Sequence, residues 1–102
     1  MDKIWELEIL RAITIESKND SGGIEFISDE RWFTETEIIV RLQLAENFDV
    51  FSLLGPIANA GHIECRIYEH SPQLQSHAIS GGINYLNANI DKLSPEKPLY
   101  WD

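Results

Sequence analysis

The sequence predicts an α+β fold: a single domain, mainly antiparallel β-sheet of about five or six strands, with a short central helix and a C-terminal helix. Three observations carry this. Alternating apolar and polar residues recur through most of the chain, clusters of turn formers separate them, and a helical apolar spacing appears toward the C-terminus. At 102 residues, with 43% hydrophobic and 25% charged residues, the chain has the composition of a globular domain that can bury a core.

Ile4 to Glu16 alternates, with Trp5, Leu7, Ile9, Ile13 and Ile15 on one side and Glu6, Glu8, Thr14 and Glu16 on the other, which predicts a strand. Arg11 falls on the apolar side, so either a bulge or a break into two strands is expected near Leu10 to Ala12. Ser17 to Gly23 is dense in turn formers and Ile24 to Ser28 reads as the returning strand of a hairpin. After a turn at Asp29 and Glu30, Trp32 to Leu44 alternates cleanly and predicts a long strand, with Phe33, Glu35 and Glu37 facing away from Trp32 and Ile38.

Asn47 is the expected cap of a short helix presenting Phe48, Phe51 and Leu54 and stopping at Gly55-Pro56. His62 to His70 predicts a strand with Ile63, Cys65 and Ile67 on its inner face and His62, Glu64, Arg66, Tyr68 and His70 outward. Ser71-Pro72 resembles a helix start, and Ile83, Leu86, Ile90 and Leu93 recur at helical spacing. Gly81-Gly82 interrupts this segment, so residues 71–82 read either as a first helical piece or as a strand from Leu74 to Ile79 before the helix proper. Residues 94–102, with two prolines, read as an extended tail.

The charge excludes several functions. Seventeen acidic against eight basic side chains give a net charge of −9, which disfavours direct binding to nucleic acid or an anionic membrane and favours a basic partner. Residues 1–51 hold 12 acidic and 5 basic side chains, so most of the charge lies in the first half. Lone Cys65 and the acidic N-terminus predict a cytoplasmic protein without a signal peptide, and no run is long enough to span a bilayer.

No catalytic motif is present: there is no Gly-x-Ser-x-Gly elbow, phosphate loop or dinucleotide fingerprint. His62, Cys65, His70 and His77 are potential zinc ligands by type, but His62 and Cys65 point to opposite faces of a strand and Cys65 lies in its apolar stripe. The reading is therefore a non-enzyme with no metal and no cofactor. Its most informative feature is the acidic segment in which Phe33 shares a face with Glu35 and Glu37 beside Asp29 and Glu30. An aromatic anchor ringed by carboxylates suits capture of a basic protein, so Asp29, Glu30, Phe33, Glu35 and Glu37 are the candidate partner-binding residues. The outward row His62, Glu64, Arg66, Tyr68 and His70 is a secondary candidate surface.

In length, acidity, lone Cys65 and the acidic stretch Asp29 to Glu37, the chain resembles bacterial immunity proteins of the contact-dependent growth inhibition type. The resemblance implies a cognate toxin domain, often a basic nuclease of RNase type, neutralised by occlusion of its active site. An acidic mimic of nucleic acid that blocks a DNA- or RNA-binding protein, and a small enzyme using His62, His70 or Glu64, are the alternatives. The oligomeric state is left open.

Overall fold

The computed structural model describes residues 3–67 and 74–93. Helix α1 (Lys3–Ala12) leads into strands β1 (Thr14–Lys18), β2 (Ile24–Ser28) and β3 (Phe33–Thr34). Helices α2 (Glu35–Arg41) and α3 (Val50–Asn59), strands β4 (Ile63–Ile67) and β5 (Leu74–Ala78), and helix α4 (Ser80–Ala88) follow, with a 3-10 turn over Ile90–Lys92. The fold class is α+β, as the sequence predicts, but with more helix than expected. The strands also divide into two antiparallel sheets instead of one, the hairpin β1-β2 and a three-stranded sheet ordered β3-β5-β4.

The predicted strand over Ile4–Glu16 is corrected. Its first part is α1, in which Leu7, Ile9, Leu10 and Ala12 are buried, as is Ile13 just beyond its end. Leu7 and Leu10 are three residues apart and Ile9 and Ile13 four apart, so helical spacing was present beneath the alternation. Glu, Leu, Arg and Ala also favour helix locally. Arg11, out of place on an inner strand face, is a buried member of this helix. The expected break does occur: the Ile13 amide bonds the Leu10 carbonyl and the Thr14 hydroxyl bonds the same oxygen, after which β-branched Thr14 and Ile15 begin β1. The predicted hairpin is found, with Ile15 opposite Ile27 and Lys18 opposite Ile24. Its turn is held by the Asn19 carboxamide oxygen, which accepts from the backbone of Ser21 and Gly23, while Gly22 supplies a positive φ of 83°.

The long strand predicted over Trp32–Leu44 shrinks to β3 and is otherwise α2. Thr34 and Glu37 form a reciprocal capping box, the Thr34 hydroxyl accepting from the Glu37 amide and the Glu37 carboxylate accepting from the Thr34 amide. That start signal outweighs the strand preference of Thr36, Ile38, Ile39 and Val40. Val40 is left 68% exposed, so the alternation never described two faces of a buried sheet. The helix closes at Gln43, which takes φ 55° so that the amides of Gln43 and Leu44 reach the carbonyls of Val40 and Ile39.

The central helix α3 is also shifted. Its cap is Asp49, which accepts from the Ser52 amide, instead of Asn47, and it continues through Gly55-Pro56 to Asn59. Its buried face is Val50, Leu54 and Ile57, leaving Phe51 exposed, and the burial of these three offsets a proline in the helix interior. β4 falls where predicted, yet only Ile63 of its inner stripe is buried. Cys65 and Ile67 are exposed, which corrects the reading of Cys65 as a core residue. Leu74–Ala78 is the strand alternative for its segment, and Gly81-Gly82 begins α4 instead of breaking it. Leu86 is fully buried and Ile83, Ile90 and Leu93 pack partly against the core. Ser71-Pro72 and the tail over 94–102 lie outside the described residues.

Helix α1 occupies the middle, packed against α2, α3, α4 and β1. The core adds Phe26, Phe33, Ile38, Ile63 and Ala78. Two close approaches place α4. A Cβ on Gly82 would run into the His62 carbonyl, and one on Gly81 would come within 2.6 Å of the Gly61 carbonyl, so only glycine lets the helix abut the turn before β4. At its other end the Asn87 carboxamide accepts from the Phe26 amide at 2.8 Å and donates to the Phe26 carbonyl at 3.0 Å, occupying the outer edge of β2 as a neighbouring strand would.

Candidate protein-binding face

The three-stranded sheet has one face in the core and one toward solvent. Phe33, Ser76, Ala78 and Ile63 turn inward, and each is 3% exposed or less. Alternation along β3, β5 and β4 places Trp32 and Thr34, Gln75 and His77, and Glu64 and Arg66 on the opposite face. Trp32 and His77 are half-buried, while Glu64 and Arg66 are exposed. The Arg66 guanidinium lies over the Trp32 ring, 4.1 Å from its centroid, and its Nε donates to the Gln75 carboxamide at 2.9 Å. The His77 ring is 5.1 Å from the Trp32 ring at a tilt of 30°. An indole in contact with both a guanidinium and an imidazole makes an amphipathic patch on the open face.

The partner-binding residues predicted from sequence are rearranged around this patch. Phe33 is not an exposed anchor: it is 0% exposed, with the Arg31 and Arg41 guanidiniums 4.8 and 4.6 Å from its ring centroid. Its place belongs to Trp32, which the alternation had assigned to the core. The register explains the inversion, because Phe33 pairs with buried Ser76. Asp29 is buried and engaged, its carboxylate accepting from the Arg31 side chain at 3.2 and 3.3 Å and from the Arg31 amide. Burial pushes this carboxyl up, but the Arg31 hydrogen bonds and the positive charges of Arg31 and Arg41 outweigh it and hold it below its ordinary value.

Glu30 and Glu37 are exposed and Glu35 is half-buried. Glu35 and Glu37 do not share a strand face; they lie in the first turn of α2, where negative charge suits the helix dipole. Of the secondary row, Glu64 and Arg66 belong to the Trp32 face, so two surfaces read separately from the sequence are parts of one. His62 leaves that row. Its Nδ1 lies 2.6 Å from a Glu6 carboxylate oxygen, and its ring stacks on Tyr85 at 4.5 Å. Tyr68 and His70 lie outside the described residues.

Sequence reasoning missed the Glu6–His62 pair because 56 positions separate the partners and Glu6 was assigned to the outer face of a strand. It missed His77 because nothing local connects it to Trp32. Among the described residues no group of three or more His, Cys, Asp or Glu side chains is arranged to hold a metal ion, and no helix is long and apolar enough to cross a membrane. Compared with known proteins, the chain matches no family model, no curated protein and no solved structure.

Proposed function

We propose that this protein is an immunity protein that binds and neutralises a cognate bacterial toxin domain, a basic nuclease, by covering its active site with the Trp32 face. The observation that carries the reading is the cluster of Arg66, Trp32 and His77 on the open side of the three-stranded sheet, in a chain of net charge −9. Tryptophan and arginine supply most of the binding energy in many interfaces, and here each already holds the other in place, so little side-chain freedom is lost on docking. Glu30, Glu35 and Glu37 are carried by the chain on either side of Trp32 and β3, and Glu64 lies on the open face itself. These carboxylates would meet the Lys, Arg or His side chains that a nuclease uses to hold phosphates, steering association. Asp29 has a different part: it fixes Arg31 and the chain entering β3.

The test pairs this chain with the C-terminal domain of the effector encoded immediately upstream of its gene. Co-expression should rescue growth and yield a complex that copurifies, and absence of both overturns the proposal. Trp32→Ala should weaken the complex by about 30-fold, a loss of ~2 kcal/mol at an interface centre. Paired Glu30→Lys and Glu35→Lys changes should slow association and flatten its dependence on salt. A complex indifferent to both sets of changes would use another surface.

A further inference from the structure

β4 is an edge strand of its sheet, and among the described residues no strand pairs with its outer side. The Ile79 amide bonds the His62 carbonyl at 3.2 Å, which fixes the phase of the β4-β5 ladder. With His62 and Ile79 a hydrogen-bonded pair, Glu64 and Arg66 direct their backbone groups at β5, and Ile63, Cys65 and Ile67 direct theirs outward. The strand reads Ile63-Glu64-Cys65-Arg66-Ile67. About its midpoint it is self-complementary. A second copy laid antiparallel with Cys65 opposite Cys65 places Glu64 against the partner's Arg66, Arg66 against the partner's Glu64, and each Ile63 beside the partner's Ile67.

We infer that the outer edge of β4 is a homodimer interface, in which two copies pair antiparallel about Cys65 and join their three-stranded sheets into one. The outward backbone groups of Ile63, Cys65 and Ile67 are those an antiparallel partner in this register requires. The charge pattern selects that register, since a slip by one or two residues loses the Glu-Arg pairing, for which Arg66 exchanges its contacts with Gln75 and Trp32 of its own chain. Ile67, 74% exposed and the most exposed large hydrophobic side chain among the described residues, gains Ile63 of the partner as a neighbour. A two-fold axis perpendicular to the sheet leaves both Trp32 faces on one side, so the dimer presents a continuous doubled face. Five residues of strand bury far less than the ~1,200 Å² of a standard interface, so association is concentration-dependent. The dimer does not require the toxin reading, whose Arg66–Trp32 contact belongs to the single chain.

The chain has one cysteine, so a disulfide formed under a diazene oxidant such as diamide, which takes up both thiol protons and both electrons, must be Cys65 to Cys65. Opposed Cα atoms of a hydrogen-bonded antiparallel pair are about 5.5 Å apart, within disulfide reach. Sedimentation velocity across a concentration series should show a monomer–dimer equilibrium, and oxidation should trap the dimer. Glu64→Arg and Arg66→Glu, each bringing like charges together twice, should each weaken dimerisation and lower trapping by about tenfold. The double change E64R/R66E should restore both. Ile67→Lys, at an exposed position, should weaken the dimer without disturbing the fold, which circular dichroism checks for every variant. A protein monomeric throughout the series, a dimer insensitive to the single reversals and to Ile67→Lys, or a double variant no better than the singles would each overturn the inference.

Discussion

Asp29 stays charged because Arg31 surrounds it, and that makes it the residue whose titration stability should follow. Its carboxyl lies below its ordinary value in the folded chain and at that value in the unfolded one. The stabilisation is therefore complete above the ordinary carboxylate range and is lost as the pH falls through the lowered folded value. Asp29→Asn should cost stability at about pH 6 and cost distinctly less at about pH 3, as read from urea unfolding at the two values. An equal cost at both would show that the Arg31 contacts do not depend on the charge. The same segment shows why its residues were hard to place from sequence. Trp32 and Phe33 are adjacent aromatics in an alternating run, so the pattern says that they face opposite ways but not which way is in. That choice is made by β5, which offers buried Ser76 opposite Phe33 and half-buried His77 beside Trp32.

Among the elements, α4 has the least room for variation. Gly82→Ala would drive a methyl group into the His62 carbonyl, and the backbone on both sides is fixed by packing, so a loss of about 2 kcal/mol or more is expected in urea unfolding. Asn84→Ala, on the exposed side of the same helix, should be neutral or slightly stabilising, which separates the close approach from helix propensity. If the two changes cost the same, the contact with His62 is not what demands glycine. Elements defined by turn chemistry were legible: the hairpin through Asn19 to Gly23, and β4. So was the strand alternative for Leu74–Ala78. The two helices read as strands, α1 and α2, are short and each carries two isoleucines, and over so few residues alternation and helical spacing select nearly the same positions. Composition could have decided the first and the Thr34–Glu37 box the second. The Asp49 cap was masked by Asn47, an equally good cap two residues earlier.

For the whole molecule, net charge favours a basic partner but does not say where one would bind. The −9 is a sum over the chain, whereas the candidate face is assembled from strands on both sides of β5 and brings Trp32, Arg66 and His77 together with Glu64. Pairing across strands does not show in a linear reading, so Trp32, His77 and Arg66 could not be grouped before the fold was known. The paired amide of Asn87 has a further consequence. Helix α4 touches both sheets, β2 and β5, with its N-terminal glycines against the turn into β4 and Asn87 on the backbone of Phe26. It is a strut between two sheets that share no strand. The Phe26 amide should therefore exchange with solvent deuterium about tenfold faster in Asn87→Ala than in the parent chain. An unchanged rate would mean that the helix does not hold the hairpin. Where the strut holds, one backbone proton on β2 is a remote gauge of how firmly the opposite sheet is seated, readable without touching the candidate face.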